Sequence, residues 1–285
     1  MMMQTMIEIL KKTEAYFLSK GVVSPRLNAE LILAHVLNLK RLDVYLSHDR
    51  PLTEEELDRL RIAVRRRGNR EPIQYIEGNT EFYNCSLNVD ARCLIPRPET
   101  EELVGWISDS LTDSPKQILD LGSGSGAIAI ALAILYKDSR VVAVDSSRDA
   151  IDLIQENIKL NGLGDRVESL HSSWYQAVHG KYDLIVSNPP YLTVEELETA
   201  EPEVKNYEPN AALVSDEDGF KDIALILEDA QKFLNVGGSL FLETGIGHAE
   251  RLMSFPNRFL SKRICKKDLS GRHRFFSAEF SSMNQ

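Results

Sequence analysis

Ser187-Asn188-Pro189-Pro190-Tyr191 is the segment of this chain best equipped for chemistry. Its two prolines fix φ and stiffen the backbone, which keeps the Pro189 carbonyl presented as an acceptor. Asn188 adds a side-chain acceptor, and Tyr191 a flat ring on which a planar group can stack. These groups suit an NH₂ that must attack a methyl sulfonium. An amide nitrogen is a poor nucleophile because its lone pair is delocalised into the carbonyl. Two acceptors that grip its hydrogens turn that lone pair toward the methyl group and support the positive charge that develops as the bond forms. No strong base is required, and Asn188, Pro189 and Tyr191 are the candidate catalytic residues.

A second constellation lies upstream, in Asp120-Leu121-Gly122-Ser123-Gly124-Ser125-Gly126. Glycines there allow positive φ and close approach of a ligand to the backbone, at a helix N-terminus with unpaired N–H groups. Alone, the loop marks only a nucleotide-like ligand or a tight turn. With Ala127 it also satisfies the dinucleotide pattern G-x-G-x-x-A, so an NAD enzyme stays open. Asp145 follows Gly126 by 19 residues, the distance at which a carboxylate meets ribose hydroxyls. NAD and S-adenosylmethionine share that ribose. Asp145 could instead cap the helix that starts at Arg148.

The elements that must position these groups alternate regularly. Strands are expected at Ile118–Leu121, Val141–Val144, Val167–Leu170, Tyr182–Ser187 and Ser239–Glu243. Helices are expected at Ala127–Leu135, Arg148–Leu160 and Phe220–Leu234, with another around Thr100–Ser110. This alternation predicts an α/β fold with a doubly wound, mainly parallel, seven-stranded sheet. Alternating residues from Arg274 to Phe280 predict a last strand at the sheet edge. The two loops would then meet at the carboxyl ends of neighbouring strands.

Ahead of this lies a helical bundle with helices at Thr5–Lys20 and Ser24–Leu37, where Ser24 is the N-cap and Pro25 the first helical residue. A third starts at the capping box Thr53/Glu56 and ends at Gly68. The expected division is a helical domain over residues 1–72, a linker and β-hairpin over 73–92, and a catalytic domain over 93–285.

Net charge is −10 with a pI near 5.2, against affinity built on neutralising many phosphates. Residues 1–70 nevertheless carry 13 Lys and Arg against 9 Asp and Glu. The run Arg65-Arg66-Arg67 reads as a solvated helix face or a dock for an acidic partner. Cys85, Cys93 and Cys265 form neither a metal-binding pair nor a disulfide framework, and the scattered histidines add no ligand spacing, so no metal is expected. An odd cysteine count suits a reducing compartment. The start Met1-Met2-Met3 leads into no long apolar stretch, so a cytoplasmic protein without a membrane span is expected.

On these motifs the chain resembles the protein glutamine N5-methyltransferases that act on release factors, a branch of the class I S-adenosylmethionine-dependent enzymes with a Rossmann-like fold. The resemblance runs over nearly the whole length. It rests on the helical N-terminal segment, Leu94-Ile95-Pro96-Arg97-Pro98-Glu99-Thr100-Glu101, Gly122–Gly126 with Ala127-Ile128-Ala129, and Asn188–Tyr191. Adenine N6-methyltransferases of DNA or RNA share the last motif, and the Arg97–Glu101 signature separates the two.

The resemblance implies S-adenosylmethionine as donor, leaving S-adenosylhomocysteine, and the glutamine of the Gly-Gly-Gln loop of class I release factors as acceptor. It also implies that the N-terminal bundle grips another part of the factor. Gly122, Ser123, Gly124, Ser125 and Gly126 would contact the cofactor, Asp145 its ribose, and Trp174 the region beside its adenine. Asn188 would bridge cofactor and substrate. Pro189, Pro190 and Tyr191 would hold the glutamine amide, with Phe82 and Arg97 near the pocket and Glu243 resembling a family carboxylate there. Asn84-Cys85 departs from the usual glycine after Phe82-Tyr83, and Asn84 is the residue expected to take left-handed backbone. Three other readings compete: the adenine N6-methyltransferase, an NAD dehydrogenase and a non-catalytic binding protein. The first would need a basic groove for a flipped base, and nothing in the second requires Asn-Pro-Pro-Tyr.

Overall fold

The computed structural model describes residues 4–281, so the Met1–Met3 start lies outside the described residues. Two compact units are present.

The first unit runs to Gly78 and takes in Glu201–Tyr207. It holds α1 (Met6–Ser19), α2 (Pro25–Leu37), α3 (Arg41–Leu46), α4 (Glu54–Gly68) and α5 (Ile73–Glu77). Helical spacing on α1 buries Met6, Leu10, Thr13 and Phe17 against Ile32 and Leu33 of α2 and Leu57 and Leu60 of α4. The expected capping box forms, with the Thr53 N–H donating to Glu56 Oε2 at 2.9 Å and the Glu56 N–H to Thr53 Oγ1 at 3.3 Å. Ser24 does occupy the N-cap of α2, but in left-handed backbone and with no capping bond from its hydroxyl.

The structure differs from the sequence reading in two places here. Ile73–Glu77 is a helix rather than part of an extended linker, because Ile76 packs into the first core and Gly78 at φ 76° ends the turn. The arginine run is not a free face. Arg67 is 5% exposed and donates to Asn28 Oδ1, the Glu71 carbonyl and Glu203 Oε1 at 2.7, 3.0 and 2.8 Å. Arg66 pairs with Glu71, and Arg70 with Glu201 and Glu203. These bonds fasten the Glu201–Tyr207 segment within this unit.

The second unit opens with a hairpin, β1 (Asn79–Phe82) and β2 (Cys85–Asn88), followed by α6 (Pro98–Ser110). Then come β3 (Gln117–Leu121), α7 (Ala127–Leu135), β4 (Arg140–Asp145), α8 (Arg148–Leu160), β5 (Val167–His171), β6 (Tyr182–Ser187) and α9 (Val194–Thr199). Helix Lys221–Phe233 leads to β7 (Leu234–Glu243), and β8 (Leu260–Lys267) and β9 (His273–Phe280) complete a seven-stranded sheet. Its order is β5-β4-β3-β6-β7-β9-β8, parallel through β7 and antiparallel for the last two strands. The expected fold class is therefore found, and α7 is apolar all round because it is buried.

The last strand is not at the edge. β9 lies between β7 and β8, and β8 forms the edge instead. The polar run of β8, with Lys262, Arg263, Lys266 and Lys267, hides a strand in the sequence. Such charges protect an exposed edge from pairing with other chains.

Candidate functional site

β3 has β4 on one side and β6 on the other, so the strand order switches there and a crevice opens beyond their carboxyl ends. The glycine loop leaves β3 and the Asn188 segment leaves β6. Leu121 and Ser187 are paired in register, and the buried Ser187 hydroxyl donates to the Leu121 carbonyl at 2.6 Å. That bond ties the two loops at their roots.

The glycine loop is held from four sides. Gly122, Gly124 and Gly126 take φ of 69°, 58° and 81°, and the Ser123 N–H donates to the Val144 carbonyl at 2.9 Å. A Cβ on Gly122 would sit 3.4 Å from the Trp174 ring, so glycine keeps that space open. Asp145 Oδ2 accepts from the Gly124 N–H and Oδ1 from the Ser147 N–H, each at 2.9 Å. The cap of α8 is Ser147, whose hydroxyl accepts from the Ala150 N–H, so Asp145 is released from the capping role. Buried Asn157 accepts from the Asn88 N–H at 2.7 Å and donates to the Asn88 and Ser125 carbonyls at 3.0 and 2.9 Å, clipping the hairpin to the loop.

The acceptor loop is pinned by Tyr191 and Leu192, whose N–H groups both donate to the Leu213 carbonyl, and by the bridge between Leu192 and Val214. Gly219, at φ 76°, passes so close that a Cβ there would lie 2.1 Å from the Tyr191 carbonyl oxygen. Tyr191 donates its hydroxyl to Glu243 Oε1 at 2.9 Å, and burial pushes its pKa up.

A cavity of about 360 Å³ joins the two loops. Of the expected residues, Gly122, Gly124, Asp145, Trp174, Asn188 and Pro190 line it. Ser123, Ser125 and Gly126 shape the loop from behind, with the Ser123 hydroxyl bonded to the Asp120 carbonyl. Pro189 and Tyr191 do not line the cavity. Phe82 is 1% exposed and serves as a wall of the hairpin. The left-handed residue of its turn is Tyr83 (φ 52°), not Asn84, because Glu101 holds the Tyr83 N–H at 2.8 Å. Arg97 pairs with Glu208, whose nearly buried carboxylate also accepts from the Ile95 N–H. Glu243 ends β7, fully buried.

Several groups at the site carry no signal in the sequence. Asp222 lines the cavity, accepting the Trp174 indole N–H at 3.2 Å and the Ser215 hydroxyl at 2.6 Å, and so sets the ring plane. Arg92, Cys93, Leu94, Ser146, Ser147, Ala150, Ser172, Ser173, Pro209, Ala211 and Ala212 complete the lining. Thr100, read only as one letter of a signature, bonds both Glu243 and Asn188. Under the glycine loop, Asp120 is fully buried; Oδ2 accepts from the Ala129 N–H while Oδ1 has no partner, and burial raises its pKa to about 7. Burial also raises Asp145, against the backbone N–H groups of Ser147, Gly124 and Ser146 that favour its charge. No group of metal ligands occurs among the described residues, and no helix there is long and apolar enough to cross a membrane.

Known proteins resemble the chain over most of its length. Residues 8–78 match the model of the PrmC N-terminal domain and residues 103–203 that of the methyltransferase small domain. The release factor glutamine methyltransferase of Chlorobaculum tepidum is 44% identical over 251 residues, covering 84% of this chain and 85% of that one. The enzyme of that name from Rhodopirellula baltica is 38% identical over 96% of both chains. The human MTRF1L release factor glutamine methyltransferase is 37% identical over 94% of this chain and 86% of its own. Among solved structures, the Thermus thermophilus 16S rRNA N2 G1207 methyltransferase, in complex with AdoMet and guanosine, superposes with a TM-score of 0.53 at 19% identity. It covers 71% of this chain and 49% of its own, a likeness of fold alone.

Proposed function

The chain belongs to the release factor glutamine methyltransferase family, and from that premise we propose that it methylates the side-chain amide nitrogen of the glutamine in the Gly-Gly-Gln loop of class I release factors. The observation that carries this reading is the cavity shared by the glycine loop and Asn188. S-adenosylmethionine, when bound, supplies an electrophilic methyl group. The donor side fits: glycines leave room for a ligand against the backbone, Asp145 keeps lone pairs beyond the two N–H groups it already accepts, and Trp174 offers a ring fixed by Asp222.

On the acceptor side, Asn188 and the Pro189 carbonyl would receive the two amide hydrogens, with Pro190 and Tyr191 holding the group in place. Anchoring by two acceptors turns the nitrogen lone pair toward the methyl group and stabilises the charge formed in transfer. The first unit would bind a distant part of the factor, so affinity comes from remote contacts while the pocket tests only for an amide. Cys85, Cys93 and Cys265 are thiols rather than disulfides, which supports work in the reducing cytoplasm.

The test is transfer of a labelled methyl group to an intact release factor and to one whose loop glutamine is replaced. The first should be labelled and the second not; equal labelling of both would refute the assignment.

A further inference from the structure

Behind Asn188 lies a chain of buried hydrogen bonds that runs through Thr100 to Glu243. Glu243 is 1% exposed and Thr100 4%. The Thr100 hydroxyl donates to Glu243 Oε2 at 2.7 Å, and Tyr191 donates to Oε1 at 2.9 Å. Arg274 Nη1 donates to the Tyr191 oxygen at 3.4 Å, so the phenolic proton belongs to Glu243. Burial raises the Glu243 pKa, while the hydrogen bonds from Thr100 and Tyr191 and the nearby Arg274 favour its charged form, in which it can only accept the single Thr100 proton. The Thr100 oxygen must then accept at its other contact, which is Asn188 Nδ2 at 3.2 Å.

From this we infer that Glu243, acting through Thr100, fixes the orientation of the Asn188 carboxamide: Nδ2 is committed to Thr100 and Oδ1 is left as the acceptor end. Thr100 and Glu243 are thus positioning residues that give the pocket its polarity. The inference rests on the reading of Asn188 as a substrate contact. Were the amide reversed, its own N–H groups would face the N–H groups of the acceptor, donor against donor, and the lone pair of the incoming nitrogen would lose its anchor. The same polarity selects for acceptors that carry N–H. The carboxamide has no intrinsic preference between its two ends, since oxygen and NH₂ are nearly equal in size. Only a partner of fixed direction can choose, and a threonine hydroxyl bound to a carboxylate is one.

The experiment is a double-mutant cycle with an intact release factor as acceptor. Thr100→Val removes the hydroxyl at nearly constant volume and should lower kcat about 10–100-fold. Binding of S-adenosylmethionine should stay within about twofold. Thr100→Ser, which keeps the hydroxyl, should recover most of the loss. Thr100→Ala, which cannot overpack the site, should repeat the loss. In an Asn188→Ala background, Thr100→Val should cost nothing further, because its effect passes through Asn188. Full kcat in Thr100→Val, or the same loss with and without Asn188, would overturn the inference while leaving the proposed reaction intact. An Asn188→Ala enzyme of normal kcat would overturn the reading of the site itself, and this inference with it.

Discussion

Replacing Asp145 by alanine perturbs the donor site at one atom pair whose surroundings are fully defined. Each carboxylate oxygen already accepts one backbone N–H, from Gly124 and Ser147 at 2.9 Å. A carboxylate has about four lone-pair sites, which leaves roughly two for the hydroxyls of a ribose diol. Hydrogen bonds to a charged group are worth about 1.5–3 kcal/mol each, so losing two costs about 3–6 kcal/mol, or about 10²–10⁴ in Kd. Water can enter beside a partly exposed residue and resolvate the freed groups, which favours the lower end. Titration calorimetry with S-adenosylmethionine and S-adenosylhomocysteine measures the loss directly. A cofactor lacking one ribose hydroxyl should bind the wild type more weakly but bind Asp145→Ala no worse than the full cofactor does. A Kd within threefold of wild type in a folded variant, or an equal penalty for the deoxy cofactor in both proteins, would refute the reasoning.

Three further outcomes are expected. Asn188→Ala should lower kcat about 10²–10³-fold with little change in cofactor Kd, as for loss of one preorganised polar contact; stopped-time transfer assays and calorimetry together check it. Gly219→Ala forces a Cβ to 2.1 Å from the Tyr191 carbonyl at φ 76°, so it should cost at least about 1–2 kcal/mol in urea unfolding and lower kcat by displacing the acceptor loop. Asp120, with its pKa raised to about 7 by burial, contributes stability that is present below the ordinary carboxylate range and is lost as pH rises through 7. Between pH 4 and 7, wild-type stability should therefore fall relative to Asp120→Asn by up to about 1.4 kcal/mol per pH unit, and parallel urea midpoints across that range would contradict the assignment.

Much of the architecture is legible because periodicity and punctuation agree with burial. Ile118–Leu121 and Tyr182–Ser187 are short apolar runs ended by glycine or proline, and burial of both faces makes them parallel strands. β8 escaped because an edge strand can be polar, and α5 because Ile73, Tyr75 and Ile76 favour strands until packing against the first core decides otherwise. At the site, residues that act by backbone shape announce themselves, as Gly122–Gly126 and Pro189–Pro190 do. Residues that act by partnership do not. Thr100 gains its meaning only when folding brings Glu243 and Asn188 to it, and Asp222 only beside Trp174. Arg67 looks like surface charge until Asn28 and Glu203 enclose it.

Tandem mass spectrometry of a class I release factor, incubated with the enzyme and S-adenosylmethionine, tests the central claim most directly. One methyl group should be found on the side-chain amide of the loop glutamine, and none when Asn188→Ala replaces the wild type over the same short incubation. A methyl group on any other residue, or an unmodified factor beside a methylated adenine in an added oligonucleotide, would contradict the account.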